Sequence, residues 1–108
     1  MSQAMEYTVQ EVASLLKSPA PPRLIDVREP SEWDIAHLEQ AQLITQELLD
    51  EMLGGWPRET PIVCYCHHGV RSMSAAVFLR QQGFVNTRSM RGGIDAWARE
   101  VDPKLRRY

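Results

Sequence analysis

The stretch Ile62-Val63-Cys64-Tyr65-Cys66-His67-His68-Gly69-Val70-Arg71-Ser72 decides the fold. Its first four residues follow Pro61 and form a short apolar run with the length and composition of a buried strand. The run breaks at Cys66, and from Ser72 the small and apolar residues Ala75, Ala76 and Leu79 recur at helical spacing until Gly83 offers a stop. The spacing therefore predicts a strand, a tight loop and a helix, with Cys66 where the strand ends and the loop begins.

Working outward, the same alternation repeats. Leu24-Ile25-Asp26-Val27 reads as a second buried strand, interrupted by one carboxylate near its end. Before it, Thr8 and Glu11 match a capping box for a helix carrying Val9, Val12, Ala13 and Leu16, which must end before Pro19, Pro21 and Pro22. After it, Pro30 with Glu29 and Glu32 suits the first turn of a short helix carrying Trp33. Leu43 and Ile44 suggest a brief strand. Thr45 then caps a helix whose Leu48, Leu49, Met52 and Leu53 lie along one face, with Gly54 and Gly55 as its expected stop. Thr87 to Met90 reads as a weak last strand leading through Arg91, Gly92 and Gly93 to a helix with Ile94, Ala96 and Trp97. Short buried strands alternating with helices predict an α/β domain with a mainly parallel sheet, because parallel neighbours require crossover connections.

The chain has 108 residues, 44% hydrophobic and 24% charged, which fits one domain spanning 1–108 with a single core. At that size neither disulfides nor a structural metal is needed for folding. Twelve Lys and Arg against 14 Asp and Glu give a net charge of -2, so no general attraction to nucleic acid or to a membrane surface is expected. Arg106 and Arg107 read as a solvated end. Met1 to Glu6 lacks the basic and apolar regions of a signal peptide, and no run could span a bilayer, so the expected location is cytoplasmic.

Cys64 and Cys66 lie one residue apart, where strand side chains point to opposite faces, so a bond between them would be strained. Cys64, inside the apolar run, reads as an inert core residue. Cys66 reads as reactive: it sits at the carboxyl end of a strand in an α/β sheet, where ligands bind. The amides of the loop and of the helix N-terminus can converge there on an anion, lowering a thiol pKa and holding a thiolate nucleophile. Gly69 permits a backbone conformation that side-chain-bearing residues resist. Arg71 either faces a substrate or binds a carboxylate such as Asp26 or Glu32 and braces the loop. His67 and His68 supply hydrogen bonds or partial positive charge at the rim, and neither is marked as a general base. Cys64, Cys66, His67 and His68 are all possible metal ligands, but they are adjacent rather than supplied in separated pairs, and His37 is distant in sequence, so no metal is expected.

The loop Cys66-His67-His68-Gly69-Val70-Arg71-Ser72 resembles the active-site loop of the rhodanese family. Leu24 to Glu29 resembles that family's strand ending in Asp-Val-Arg, His37 fits its following histidine, and Gly92-Gly93-Ile94 with Trp97 resembles its closing segment. Leu38-Glu39-Gln40-Ala41 departs from the family, which typically has a proline and a glycine there. The resemblance implies a rhodanese-like fold, with helices on both faces of a small sheet. It implies a sulfurtransferase that takes sulfane sulfur from a donor such as thiosulfate, holds it as a persulfide on Cys66, and passes it to a thiophilic acceptor. That acceptor is cyanide or a thiol, a sulfur-accepting protein among the candidates, and no cofactor is implied. By the same resemblance Cys66 is the nucleophile, and His67, His68, Gly69, Val70 and Arg71 form the substrate pocket. Asp26 and Arg28 then flank the pocket or brace the loop as an ion pair. Two rival functions are a cysteine-dependent phosphatase of related fold and a regulatory or sulfur-carrying binding module. Four residues separate Cys66 from Arg71, one fewer than in the familiar phosphatase signature, and Cys66 itself is retained; both features favour sulfur transfer.

Overall fold

A computed structural model describes residues 4–108. Among these described residues five strands form one sheet: β1 (Glu6–Tyr7), β2 (Arg23–Asp26), β3 (Ala41–Leu43), β4 (Ile62–Tyr65) and β5 (Thr87–Met90), in the order β1-β5-β4-β2-β3. Every pairing is parallel. Four helices connect them, α1 (Val9–Leu16), α2 (Pro30–Ile35), α3 (Gln46–Gly55) and α4 (Val70–Gln81), and α5 (Gly93–Glu100) follows β5.

Helices cover both faces, as expected. On one face Val9 and Val12 of α1 pack with Ile94 and Ala96 of α5 over Leu24, Val63, Tyr65 and Met90. On the other, Met52 of α3 and Leu79 of α4 pack with Phe84 over Ile25, Ile62 and Cys64. The alternation along β4 assigns these faces: Val63 and Tyr65 point one way, Ile62 and Cys64 the other. All four residues of that central strand are buried, which is why it reads as continuous apolar sequence rather than as an alternating pattern.

The expected helix starts are present. Thr8 Oγ1 accepts from the Glu11 amide while Glu11 accepts from the Thr8 amide, completing the capping box. Thr45 Oγ1 accepts from the Leu48 amide to start α3. Three details differ. Gly54 and Gly55 do not stop α3; they lie within its last turn. Arg58 does the stopping, donating to the Leu53 carbonyl at 2.8 Å and also to the end of α4 at Gln82 (2.9 Å), so no left-handed glycine is required. The strand expected at Leu43 and Ile44 lies earlier, at Ala41–Leu43, where its register against Leu24–Asp26 is set by β2. Finally, β1 went unpredicted: two residues carry no readable period, and their strand character comes from pairing with Ser89 and Met90.

The Leu38–Ala41 turn forms without proline or glycine. The Ala41 amide donates to the Leu38 carbonyl (3.1 Å), and Leu38, buried in the core, donates its own amide to the Tyr65 hydroxyl (3.2 Å). Tertiary anchoring replaces local turn chemistry at this point.

Candidate active site

Cys66 follows the last residue of β4 at the carboxyl edge of the sheet, and Val70 begins α4 four residues later. The loop between them is built with its carbonyls outward and its amides inward. The Cys66 carbonyl accepts from the Ile94 amide (2.9 Å) and the His67 carbonyl from the Asp95 amide (3.1 Å), so the N-terminus of α5 docks against the loop's outer side. Gly93 makes this approach possible: at its φ of +64°, a Cβ would collide with both of those carbonyl oxygens.

On the inner side the donors converge on the Cys66 sulfur. The Gly69 amide lies 3.1 Å from Sγ and the Ser72 amide 3.3 Å. Gly69 reaches this position with φ +101°, in the left-handed region, packed beside the Gly92 nitrogen. Ser72 Oγ sits 3.4 Å from Sγ. These distances suit bonds to sulfur, which is larger than oxygen. Helix α4 also points its positive end at the same atom.

The sulfur is buried, which alone would push its pKa up. The Ser72 hydroxyl and the amides of Ser72, Gly69 and His68 outweigh that burial, and the pKa falls below that of a free thiol. Cys64 shows the contrast. It is fully buried without such donors, and desolvation pushes its pKa up to about 12. Both cysteines are free thiols. The loop therefore gives two neighbouring cysteines opposite surroundings: Cys64 is a desolvated core thiol, and Cys66 is a thiol met by amide and hydroxyl donors.

The sequence marks Ser72 as the end of the loop and the start of the helical spacing but gives it no role at the sulfur, and it does not single out Ser89. Their hydroxyl oxygens lie 2.7 Å apart, both residues fully buried. With Cys66 ionised, Ser72 donates to the sulfur and accepts from Ser89, giving a hydroxyl chain that ends on the thiolate. The available signal was a pair of polar side chains at buried positions, and a polar group there requires a partner.

Around this cradle the other predicted residues take distinct places. Arg71 forms a bidentate pair with Glu32, at 2.7 and 3.0 Å, and does not pair with Asp26. That contact, with opposition from burial and support from the Tyr108 hydroxyl, holds the Glu32 carboxyl down at about 2. Asp26 instead pairs with Arg28 in full burial, with Nε and Nη2 of the guanidinium both engaged (2.6 Å at the shortest). Arg28 continues to the Ala36 carbonyl (2.7 Å) and the Tyr108 hydroxyl (2.9 Å). These contacts tie β2 to α2 and make the pair a brace beneath the site. Val70 is 77% exposed beside the loop. His37 stacks on Trp33 and donates from Nδ1 to the Trp33 carbonyl (2.9 Å), outside the sulfur's hydrogen-bond shell.

His67 stacks between His68 and Tyr108, with centroids 3.9 Å apart on each side. Burial and the neighbouring His68 lower its pKa, so its ring is predominantly neutral at pH 7. His67, His68 and Asp95 bring donor atoms within 4.8 Å of one another. The arrangement suits a metal poorly. The stacked imidazoles are inclined by only 28°, so their in-plane lone pairs do not converge, and both Asp95 oxygens are engaged by Arg99 and Arg107.

The chain is similar to known proteins along most of its length. The family model described as rhodanese-like domain matches residues 8–100. The probable adenylyltransferase/sulfurtransferase MoeZ of Mycobacterium tuberculosis is 40% identical over 103 residues, covering 94% of this chain; the chain spans only 26% of that relative's length. The thiosulfate sulfurtransferase GlpE of Tolumonas auensis is 34% identical over 103 residues, covering 95% of each chain. Among solved structures, the human single-domain sulfurtransferase TSTD1 is 25% identical with a TM-score of 0.77, covering 91% of this chain and 98% of its own. Among the described residues, no helix is long and apolar enough to cross a membrane.

Proposed function

This chain belongs to the rhodanese-like family, and from that premise we propose that it is a thiosulfate sulfurtransferase in which Cys66 carries the transferred sulfur as a persulfide. The observation that carries this reading is the convergence of the Gly69 amide, the Ser72 amide and the Ser72 hydroxyl on Cys66 Sγ within 3.1–3.4 Å. In the first step the Cys66 thiolate attacks the outer sulfur of thiosulfate. A new S–S bond forms, the sulfur–sulfur bond of thiosulfate breaks, and sulfite leaves with the bonding pair. In the second step cyanide or a thiolate attacks the outer sulfur of the persulfide and restores the Cys66 thiolate. Charge is conserved in each step, and no metal, cofactor or external oxidant is required.

The cradle serves both steps by stabilising negative charge near Cys66, as thiolate and then as persulfide. Its short length supports sulfur over phosphorus: four residues separate Cys66 from Arg71, one fewer than in the familiar phosphatase signature. Arg71 contributes positive charge at the rim while held by Glu32, so bracing and electrostatic roles coexist. Small sulfur donors and cyanide or thiol acceptors are the proposed partners, with protein acceptors as a further class, and the cytoplasm is the proposed location.

The test is sulfur transfer from thiosulfate to cyanide by the wild-type chain and by Cys66→Ser and Cys64→Ser. Activity lost in Cys66→Ser and largely kept in Cys64→Ser is the expected result. Equal loss in two folded variants, or Cys66-dependent hydrolysis of aryl phosphates exceeding sulfur transfer, would overturn the assignment.

A further inference from the structure

Arg106 and Arg107 are exposed, as expected, but their neighbours in the segment after α5 dock against the fold. Leu105 packs on the core beside α1 and α5. Arg107 donates to Asp95 at 3.2 Å, and Asp95 is the residue whose amide holds the His67 carbonyl. Tyr108 then makes three contacts around the candidate site. Its ring stacks on His67 at 3.9 Å and 11°. Its hydroxyl accepts from Arg28 Nη1 (2.9 Å) and donates to Glu32 Oε2 (2.7 Å). That second bond ends on the carboxylate that grips Arg71 through both oxygens.

One side chain thus bridges the first residue after Cys66 and, through Glu32, the arginine that closes the loop. A tyrosine provides both kinds of contact: an aromatic face for the imidazole and a hydroxyl that accepts from a cation and donates to an anion. Nothing in these contacts is needed to build the sheet. They join His67, the first loop residue after Cys66, to the Glu32 carboxylate that holds Arg71 in the first turn of α4.

We propose that Tyr108 is a specificity-determining residue that walls the mouth above Cys66 between His67 and the Glu32–Arg71 pair, admitting small inorganic sulfur donors and disfavouring bulky aryl ones. The proposal rests on the sulfurtransferase reading above. Its ring acts by occupying space, and its hydroxyl acts by holding the ring in place. Removing the whole side chain therefore opens the mouth, whereas removing the hydroxyl alone leaves the wall standing with less restraint.

The test compares kcat/KM for thiosulfate and for benzenethiosulfonate, with cyanide as acceptor, in wild type, Tyr108→Phe and Tyr108→Ala. In both reactions the thiolate takes the outer sulfur; sulfite leaves from the first donor and benzenesulfinate from the second. The aryl-to-inorganic ratio should rise about tenfold in Tyr108→Ala, the scale of discrimination that a close steric fit supplies, and should change little in Tyr108→Phe. A parallel measurement needs no sulfur chemistry: the rate of Cys66 alkylation by a pyrene-bearing maleimide relative to iodoacetamide should rise in the same order. An unchanged ratio in folded Tyr108→Ala, or an equal fall for both donors, would overturn the proposal. Absence of transfer from either donor in the wild type would refute the sulfurtransferase reading, while the alkylation ratio would still report whether Tyr108 walls the mouth.

Discussion

Ser72→Ala removes the side-chain hydroxyl from the Cys66 sulfur while sparing the Ser72 amide, which lies 3.3 Å away. A hydrogen bond to a charged group contributes about 1.5–3 kcal/mol, and the 3.4 Å separation of Oγ from Sγ argues for the lower end. About 1.4 kcal/mol corresponds to a tenfold change in the thiolate population below the pKa. The loss is partly offset, because a more basic thiolate is a better nucleophile; with a Brønsted coefficient of about 0.4–0.5, it gains about threefold in intrinsic rate. The account therefore predicts crossing profiles rather than parallel ones. Against 4,4′-dithiodipyridine, Ser72→Ala should react about threefold more slowly than wild type at acidic pH and about threefold faster once both thiols are ionised. Cys64 should stay silent, being buried with its pKa at about 12. Ser89→Ala should shift the profile the same way by a smaller amount, since it acts through Ser72 at 2.7 Å. A Ser72→Ala rate reduced by one constant factor at every pH, in a folded variant, would mean that the hydroxyl shapes access and not charge.

Arg28→Met should cost about 3–5 kcal/mol of stability, because it strands the fully buried Asp26 carboxylate; chemical denaturation reads this, and adding Asp26→Asn should recover part of it. Gly93→Ala should abolish sulfur loading along with stability, since its Cβ would strike the Cys66 and His67 carbonyls, whereas Gly54→Ala, with open space around it in α3, should stabilise by about 0.5–1 kcal/mol. Acid should also find the Glu32 clamp. The Glu32 carboxyl is held at about 2 in the fold against about 4.3 when unfolded. Its contribution is thus present above about 4.3 and disappears as pH falls toward about 2. A stability–pH curve for Glu32→Gln should be flatter than wild type across that window, and identical slopes would remove the clamp from the account.

Much of this was legible in order along the chain, and the exceptions share a physical cause. The four-residue apolar run of β4 and the Thr8 and Thr45 caps are local signals, so the sequence located them closely. The placement of Cys66 at a strand end came from the same local pattern. What escaped depended on partners distant in sequence. Strand β1 exists through its pairing with β5. Arg58 ends α3, and reaches the Gln82 carbonyl just before the Gly83 that closes α4, because the two helices finish near each other. Ser89 lies 17 residues from Ser72, and Tyr108 lies 76 from Glu32; neither carries a motif, and only the folded topology brings them to the site. Arg71 stands between these cases. Its chemistry was plain from the sequence, but the choice of Glu32 over Asp26 was made by Arg28, which already occupies Asp26 in burial.

The central claim, that Cys66 holds sulfur covalently, is tested most directly by intact-mass measurement of the chain after incubation with thiosulfate and removal of excess donor, followed by addition of cyanide. The account predicts a mass increase of one sulfur atom, located on the peptide containing Cys66, absent from Cys66→Ser, retained in Cys64→Ser, and discharged by cyanide with thiocyanate released in equal amount. A wild-type chain that turns over thiosulfate with no added sulfur at Cys66, or whose added sulfur survives in Cys66→Ser, would contradict it.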